Sequence, residues 1–315
     1  MEKIALITGS ATGLAVTFAN ELARAGYSLV LNYRHSKEAC QRLCDVLTQQ
    51  YGVRTSAIGA DMTSAADIEH MMSQITATYG RLDVLVHSAG PYLFERKRLT
   101  EYSDENWNEM IAGNLTSAFL LLRRAIPLMR PQGFGRIITV GFEHVEDAPG
   151  WVYRSAYAAA KTGLASLTRT VAQEERENGI TANMICPGDI RGGNKEKDLP
   201  HDGPWMPLRA LVGGDLAALV GFLVSPAAQY VSGNMLAVSG FVDVVHHFDH
   251  GKQEVIDKIT LNEGARVHIL PWGTVGHVIK RVDRHNQRSL YTVQAGHTQA
   301  EFTIDHLKEA TEDGV

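Results

Sequence analysis

Residues 4–15 read IALITGSATGLA. A short apolar run leads into a turn with glycines at 9 and 13 and a small alanine at 15. The segment 14–25 that follows repeats its apolar residues at helical spacing, so the stretch predicts a buried strand, a tight turn and a helix. In such a unit Gly9 permits the turn, Gly13 lets the backbone approach a pyrophosphate, and Ala15 leaves room for close helix–strand packing. The first amides of the helix then face the phosphates. A dinucleotide site is therefore expected at the head of the chain.

The same alternation continues. Strand-like runs at 28–33, 55–61, 82–90, 135–141, 180–188 and 234–240 are separated by helical patterns at 36–50, 64–79, 104–130, 155–178 and 213–224. Strands this apolar, joined by single helices, predict a parallel sheet covered on both faces. Right-handed crossovers make it a doubly wound α/β Rossmann fold over residues 1–242. Past Gly240 the pattern changes. Residues 243–259 read as a connector, and 260–315 as a small SH3-like, β-barrel-like domain of short antiparallel strands.

The second strand ends NYRHS, without the carboxylate that commonly takes a ribose 2′-hydroxyl. Arg34 and Ser36 instead suit a 2′-phosphate, which favours NADP(H) over NAD(H). The chain has 315 residues, 44% hydrophobic content and a net charge of −5. That balance argues against electrostatic attraction of the whole protein to nucleic acid or anionic membranes. No apolar run has membrane-spanning length, and MEKIALITGS reads as a strand, not a signal peptide. The three cysteines, Cys40, Cys44 and Cys186, fit a reducing, cytoplasmic setting. Cys40 and Cys44 share one helix face, where a buried apolar stripe is the expected reading and no metal is called for.

Tyr157 and Lys161, in YAAAK, stand one turn apart on a helix face and suit proton transfer to a carbonyl. With the glycine turn, this pair makes residues 1–240 resemble the short-chain dehydrogenase/reductase family. TGSATGLA matches that family's glycine loop except for the last glycine, which implies cofactor contacts from Gly9, Ser10, Thr12, Gly13 and Leu14. Asp61-Met62 falls where the family holds the adenine. HSAG (87–90) stands for the usual NNAG: Ala89 and Gly90 keep the close approach, while the missing asparagines imply lost side-chain bonds across the sheet. Asn114 matches the proton-relay asparagine, Pro187-Gly188 the turn beside the nicotinamide, and Ile190 the carboxamide contact. The resemblance is strongest to NADPH-dependent 3-oxoacyl-carrier-protein reductases. It implies a carbonyl substrate, with Tyr157 giving the proton and Lys161 lowering its pKa and holding the ribose. It also implies a homo-oligomer, dimer or tetramer, joined through the helices at 104–130 and 155–178.

The family also places a serine after the fifth strand. Counting from the strand end gives Phe142; counting back from Tyr157 by the family's usual spacing gives His144. The counts differ, so an insertion lies within 142–156, and neither finds a hydroxyl. Three readings stay open. His144, or Glu143, supplies the donor, as an aspartate does in the pteridine reductase branch. Ser155 or Tyr153 supplies a hydroxyl. Or the protein binds NADP(H) as a weakly catalytic sensor or scaffold whose tail engages a partner. Gly192 replaces a threonine of the family, and Arg191 and Lys195 belong to a basic loop (191–203) expected to cover the substrate, with Trp151, Trp205 and Met206 as apolar walls. In the tail, Arg266, Lys280, Arg281, Arg284 and Arg288 with Trp272 and Tyr291 offer an RNA- or protein-binding face. His246, His247 and His250 read as connector, not as metal ligands.

Overall fold

The computed structural model describes residues 2–199, 210–240, 245, 261, 263–269, 274–284, 287–303 and 307–309. Seven strands form one parallel sheet: β1 (Ile4–Thr8), β2 (Ser28–Tyr33), β3 (Thr55–Gly59), β4 (Val84–His87), β5 (Gly135–Val140), β6 (Ile180–Pro187) and β7 (Met235–Val238). Their order is β3-β2-β1-β4-β5-β6-β7. Ile7 lies beside Leu31 on one side and Val86 on the other. Every residue of β1, β4 and β5 is buried, as both-face coverage requires.

The helices are α1 (Leu14–Arg24), α2 (Lys37–Tyr51), α3 (Ala65–Tyr79), α4 (Asp104–Ile111), α5 (Ser117–Met129), α6 (Ser155–Glu174) and α7 (Gly213–Val224). On α1 the buried residues Ala15, Phe18, Ala19, Leu22 and Ala23 form one stripe at helical spacing. Burying its Phe and Leu contributes roughly 1.5–3 kcal/mol each. Ser64 and Ser103 cap α3 and α4 by accepting the Asp67 and Asn106 N–H groups. Cys40, Cys44 and Leu47 fill the buried stripe of α2, as expected.

Two expectations change. The single helix read over 104–130 is broken into α4 and α5 by a π-helical turn at Ala112–Thr116. Pro91 is the neighbour that crowds this turn: a Cβ on Gly113 would meet its Cδ at 2.2 Å. The strand read over 82–90 is only Val84–His87, because the chain leaves the sheet there. It does so beside the point where strand order reverses, between β1 and β4, which is where a doubly wound sheet opens a crevice.

The chain separates into two compact units, one built on 2–199 and 212–240, the other holding a second, antiparallel sheet. That sheet comprises β8 (Arg266–Ile269), β9 (Thr274–Arg284), β10 (Gln287–Ala295), β11 (Thr298–Thr303) and β12 (Leu307–Glu309), in the order β11-β10-β9-β8-β12. Its core is Leu261, Val267, Ile269, Val278, Tyr291, Val293, Phe302 and Leu307. Tyr291 is 2% exposed, so it is not the surface aromatic that the sequence reading expected. Alternation along β10 puts it on the same face as buried Val293. Arg266 and Lys280 are exposed. Trp205, Met206, His246, His247, His250, Trp272 and, apart from Val245, the connector 243–259 lie outside the described residues, as do the side chains of Arg281, Arg284 and Arg288.

One buried carboxylate ties the start of β1 to β4. Asp83, 1% exposed, accepts the Ile4 N–H at 2.8 Å and the Arg81 Nε–H at 3.0 Å. Replacing it by alanine leaves the Ile4 N–H buried without its acceptor. Asp83→Ala is expected to cost about 2–4 kcal/mol in urea denaturation. An unfolding midpoint equal to wild type would remove this role.

Candidate active site

The first half of the crevice is the glycine turn that follows β1. Gly9 has φ 66°, and a Cβ there would meet the Ala89 Cα at 2.9 Å, so the exits of β1 and β4 touch backbone to backbone. Ser10 is fully buried and donates twice to the Asn32 carbonyl, from N–H at 2.9 Å and from Oγ at 3.0 Å. The Asn32 side chain accepts the Gly9 N–H at 3.2 Å and donates to the Ala60 carbonyl at 3.0 Å. It thereby locks the turn to the ends of β2 and β3. Sequence reading passed over this residue; the signal was an amide inside the apolar run SLVLNY.

Gly13 opens α1 at φ 74°, with nothing within 4 Å of where a Cβ would stand. Its N–H donates to Glu196 Oε1 at 2.8 Å, so this helix terminus already holds an oxyanion. Leu14 begins the helix, and Thr12 is exposed before it. Arg34, exposed at the end of β2, stands 3.9 Å from Asp61 Oδ2, and Ser36 is the N-cap of α2 with no side-chain bond of its own. Burial pushes the Asp61 carboxyl up, but bonds from the Thr63 N–H and hydroxyl and the Arg34 charge outweigh it and hold it below its usual range. Met62 is buried beside it in sequence. A close backbone approach, open space at Gly13 and a donor-rich terminus fit the diphosphate of a dinucleotide.

The asparagine replaced by His87 is not a lost bond. Ser117 Oγ donates its one proton to the Gly113 carbonyl at 2.7 Å, so it accepts from His87 Nε2 at 3.2 Å. His87 Nδ1 is then the acceptor for Thr8 Oγ1 at 2.9 Å, whose oxygen takes the Ala89 N–H at 3.2 Å. One neutral imidazole thus bridges β1, β4 and α5. Burial, with the Lys161 charge adding to it, lowers its pKa to about 3.

The second half holds Tyr157 and Lys161. Lys161, 4% exposed, donates from Nζ to the Val140 carbonyl at 2.7 Å and sits 5.6 Å from the Tyr157 ring centroid. Burial lowers its pKa to about 8. Burial first, then Tyr92 and Cys186, raise that of the Tyr157 hydroxyl, which therefore keeps its proton at neutral pH. The π-helical turn presents Asn114, whose Nδ2 donates to the Pro91 carbonyl at 2.9 Å and the Met110 carbonyl at 3.0 Å. Its buried Oδ1 has no partner among the described residues and lies 2.4 Å from where a Cβ on Gly90 would stand. Pro187 ends β6, the Gly188 N–H is held by the Val238 carbonyl at 3.0 Å, and Ile190 is buried after it.

The Tyr157 ring lies in an aromatic box. Tyr92 meets it edge-on at 4.9 Å between centroids, Trp151 at 5.9 Å, and Phe142 at 6.2 Å. Arg154, buried, holds Tyr92 through Nε–H to its hydroxyl at 2.7 Å and grips the Phe94 and Glu95 carbonyls at 3.1 and 2.9 Å. The strand-end count therefore names the residue facing Tyr157: it is Phe142. His144 is 41% exposed, and its Nδ1 is 3.8 Å from Asp147 Oδ2. The insertion is visible as strain. His144, Ala148 and Tyr153 have φ of 62°, 49° and 64°, and among the described residues no other non-glycine is in the left-handed region. Ser155 opens α6 with its Oγ buried and unpartnered.

A family model described as enoyl-(acyl carrier protein) reductase matches residues 9–241. The chain is 41% identical over 248 residues, 77% of its length and 97% of the relative's, to a Bacillus subtilis (strain 168) protein provisionally named oxidoreductase YtkK. It is 32% identical over 249 residues, 76% of its length, to the 3-oxoacyl-[acyl-carrier-protein] reductase FabG of Staphylococcus aureus (strain Mu50), of which it covers 98%. A solved structure from Bacillus thuringiensis, provisionally named a 3-oxoacyl-reductase, superposes with a TM-score of 0.71 at 41% identity, covering 78% of this chain and 100% of that one.

The His87 bridge has a pH signature. With a folded pKa near 3 and an unfolded one near 6.5, the unfolded chain binds a proton that the folded chain refuses between those values. Stability is therefore full above pH 6.5 and falls as pH drops toward 3. Wild type should lose roughly 2–3 kcal/mol between pH 6.5 and 4.5 through this group, a loss missing from His87→Asn. Parallel stability profiles of the two proteins in urea titrations would refute the neutral bridge.

Proposed function

The chain belongs to the short-chain dehydrogenase/reductase family and is an oxidoreductase; we propose that it reduces a ketone or 3-oxoacyl-like carbonyl with NADPH. The observation that carries this reading is the pair Tyr157 and Lys161, the amine buried, held by the Val140 carbonyl and 5.6 Å from the phenol ring. When bound, the reduced nicotinamide supplies a hydride. Gly9, Ser10, Thr12, Gly13 and Leu14 would hold its diphosphate, Arg34 and Ser36 the 2′-phosphate, and Asp61, Met62, Ala89 and Gly90 the adenosine side. Pro187, Gly188 and Ile190 would flank the ring.

Tyr157 would give its proton to the carbonyl oxygen. Its raised pKa keeps that proton in place until an oxyanion forms to receive it. Lys161 would favour the phenolate left behind and reach the ribose, and Asn114 would pass protons onward. Phe142 leaves the family's hydroxyl position apolar. His144 fits that position less well than its spacing implies, being half exposed and turned toward Asp147. The sensor reading rests on the missing hydroxyl alone. We further propose a homodimer or homotetramer through α4, α5 and α6, where Trp107 and Phe119 are 40% and 47% exposed. A cytoplasmic setting is proposed on the free buried thiols of Cys40, Cys44 and Cys186; among the described residues no helix is long and apolar enough to cross a membrane.

NADPH oxidation against acetoacetyl thioesters, diketones, quinones and pterins tests the reading, with faster turnover on NADPH than on NADH expected. Tyr157→Phe should lower kcat by about 10²–10⁴-fold. Tight NADPH binding without turnover of any carbonyl would sink the proposal. The free-enzyme profile of kcat/KM should fall as pH rises through about 8, where Lys161 loses its charge. A profile flat to pH 10 would deny Lys161 this role.

A further inference from the structure

Five buried polar side-chain atoms lack a partner among the described residues, and four of them are Asn114 Oδ1, Glu143 Oε2, Trp151 Nε1 and Ser155 Oγ. Three of these four belong to the strained insertion and the helix start that follows it. Buried polar atoms are normally paired, so an unpaired set beside one crevice marks bonds that a ligand completes.

The missing group at this site is a donor to the substrate oxygen, and the orphans differ in fitness for it. Glu143 Oε2, when ionised, only accepts and would repel a developing oxyanion. Ser155 lies two residues before Tyr157 on α6, about 200° round the helix and so on the opposite face. Tyr92 has a hydroxyl whose oxygen accepts from Arg154 at 2.7 Å and whose own proton stays available, so it is the rival donor that the test must separate. Trp151 packs at 4.9 Å on Phe142, the residue standing where a hydroxyl is wanted, and at 5.9 Å on Tyr157, the proton donor. Its Nε1–H is donor-only and uncommitted.

We propose that the Trp151 indole N–H is the hydrogen-bond donor to the substrate's carbonyl oxygen, replacing the hydroxyl that Phe142 lacks. This rests on the carbonyl-reductase reading above. In the step, the carbonyl carbon gains a hydride and the π electron pair moves to oxygen. The Tyr157 O–H bond breaks to give that oxygen its proton. The carbonyl is reduced and the nicotinamide that gave the hydride is oxidised. The indole N–H stays intact throughout and holds the oxygen as charge develops on it. The aromatic box then does two tasks: three faces exclude water, and one edge donates.

The test uses the full chain and whichever of acetoacetyl-N-acetylcysteamine, 2,3-butanedione or a quinone wild type reduces. Trp151→Phe keeps the ring and removes the N–H. It should lower kcat by about 10²–10³-fold while NADPH affinity, read by cofactor fluorescence, stays unchanged. Tyr92→Phe, which keeps the ring of the wall and removes the rival hydroxyl, is measured beside it. Turnover of Trp151→Phe comparable to wild type, or the loss appearing in Tyr92→Phe instead, overturns the proposal. The second readout does not depend on turnover. In protein with ¹⁵N-labelled indoles, the Trp151 N–H signal, assigned by elimination with Trp107→Phe, Trp205→Phe and Trp272→Phe, should move downfield. The titrant is the product alcohol of the same probe, added with NADP⁺. A signal that does not move overturns the proposal even if Trp151→Phe fails to fold. Wild type that reduces no carbonyl defeats the functional reading itself, whereas wild type that reduces one and is indifferent to Trp151→Phe defeats only the assignment of the indole.

Discussion

The crevice exists because two strands that diverge in their connections are pinned together at their ends. Strand order reverses between β1 and β4, so the helices after them leave to opposite faces of the sheet. The parallel ladder sets their spacing as far as Thr8 and His87. Beyond that pair, two contacts do. Gly9 approaches Ala89 so closely that no side chain fits between them. Beside them, the chain from Ala89 N–H through Thr8 and His87 to Ser117 carries a hydrogen bond across β1, β4 and α5 without a break. The glycine turn hangs from one end of this chain and the Asn114 turn from the other. A neutral imidazole suits the position because it both donates and accepts, which a protonated ring would not. Burial ensures that state by disfavouring the charge.

The fold was legible in the sequence because parallel strands covered on both faces must be mostly apolar, and the runs at 4–8, 28–33 and 135–141 are. The glycine turn was legible because only a residue without Cβ tolerates the approach at position 9. Asn32 and His87 were not legible in the same way. Each does its work through bonds to residues between 23 and 79 positions distant, and an isolated polar residue in a strand carries no sign of its partner. The break in the helix at 112–116 escaped for a related reason. Its apolar spacing continues through the turn, and what crowds the turn, Pro91, lies on another element. Tyr291 failed as a surface aromatic because one register decision sets the face of every residue in β10.

The insertion between β5 and α6 is where local reading was weakest, and the backbone explains it. Counting along a chain assumes ordinary conformations. Three left-handed residues, His144, Ala148 and Tyr153, compress and redirect the segment, so spacing ceases to report position. L-residues with branched or long side chains resist that region at a cost of roughly 1–2 kcal/mol each. Such strain persists only where surrounding contacts over-determine it. Here Arg154 supplies several: it grips Tyr153, Phe94, Glu95 and the Tyr92 hydroxyl at once, which fixes both walls of the box.

That box changes the chemistry as much as it changes the shape. On the proposed reductive reading Tyr157 works as an acid and needs its proton kept, and burial against three aromatic neighbours raises its pKa. The same desolvation lowers that of Lys161 to about 8, so the two groups are driven apart in proton affinity, the phenol holding its proton more tightly and the amine less. A serine hydroxyl in place of Phe142 would supply a donor but also a polar foothold for water beside Tyr157. Phe142 removes both. An indole edge is the side chain that restores a donor while keeping the wall apolar, because its N–H is its one polar atom. On the proposed reading, the phenyl at 142 and the indole N–H that lacks a partner among the described residues are one change seen from two residues.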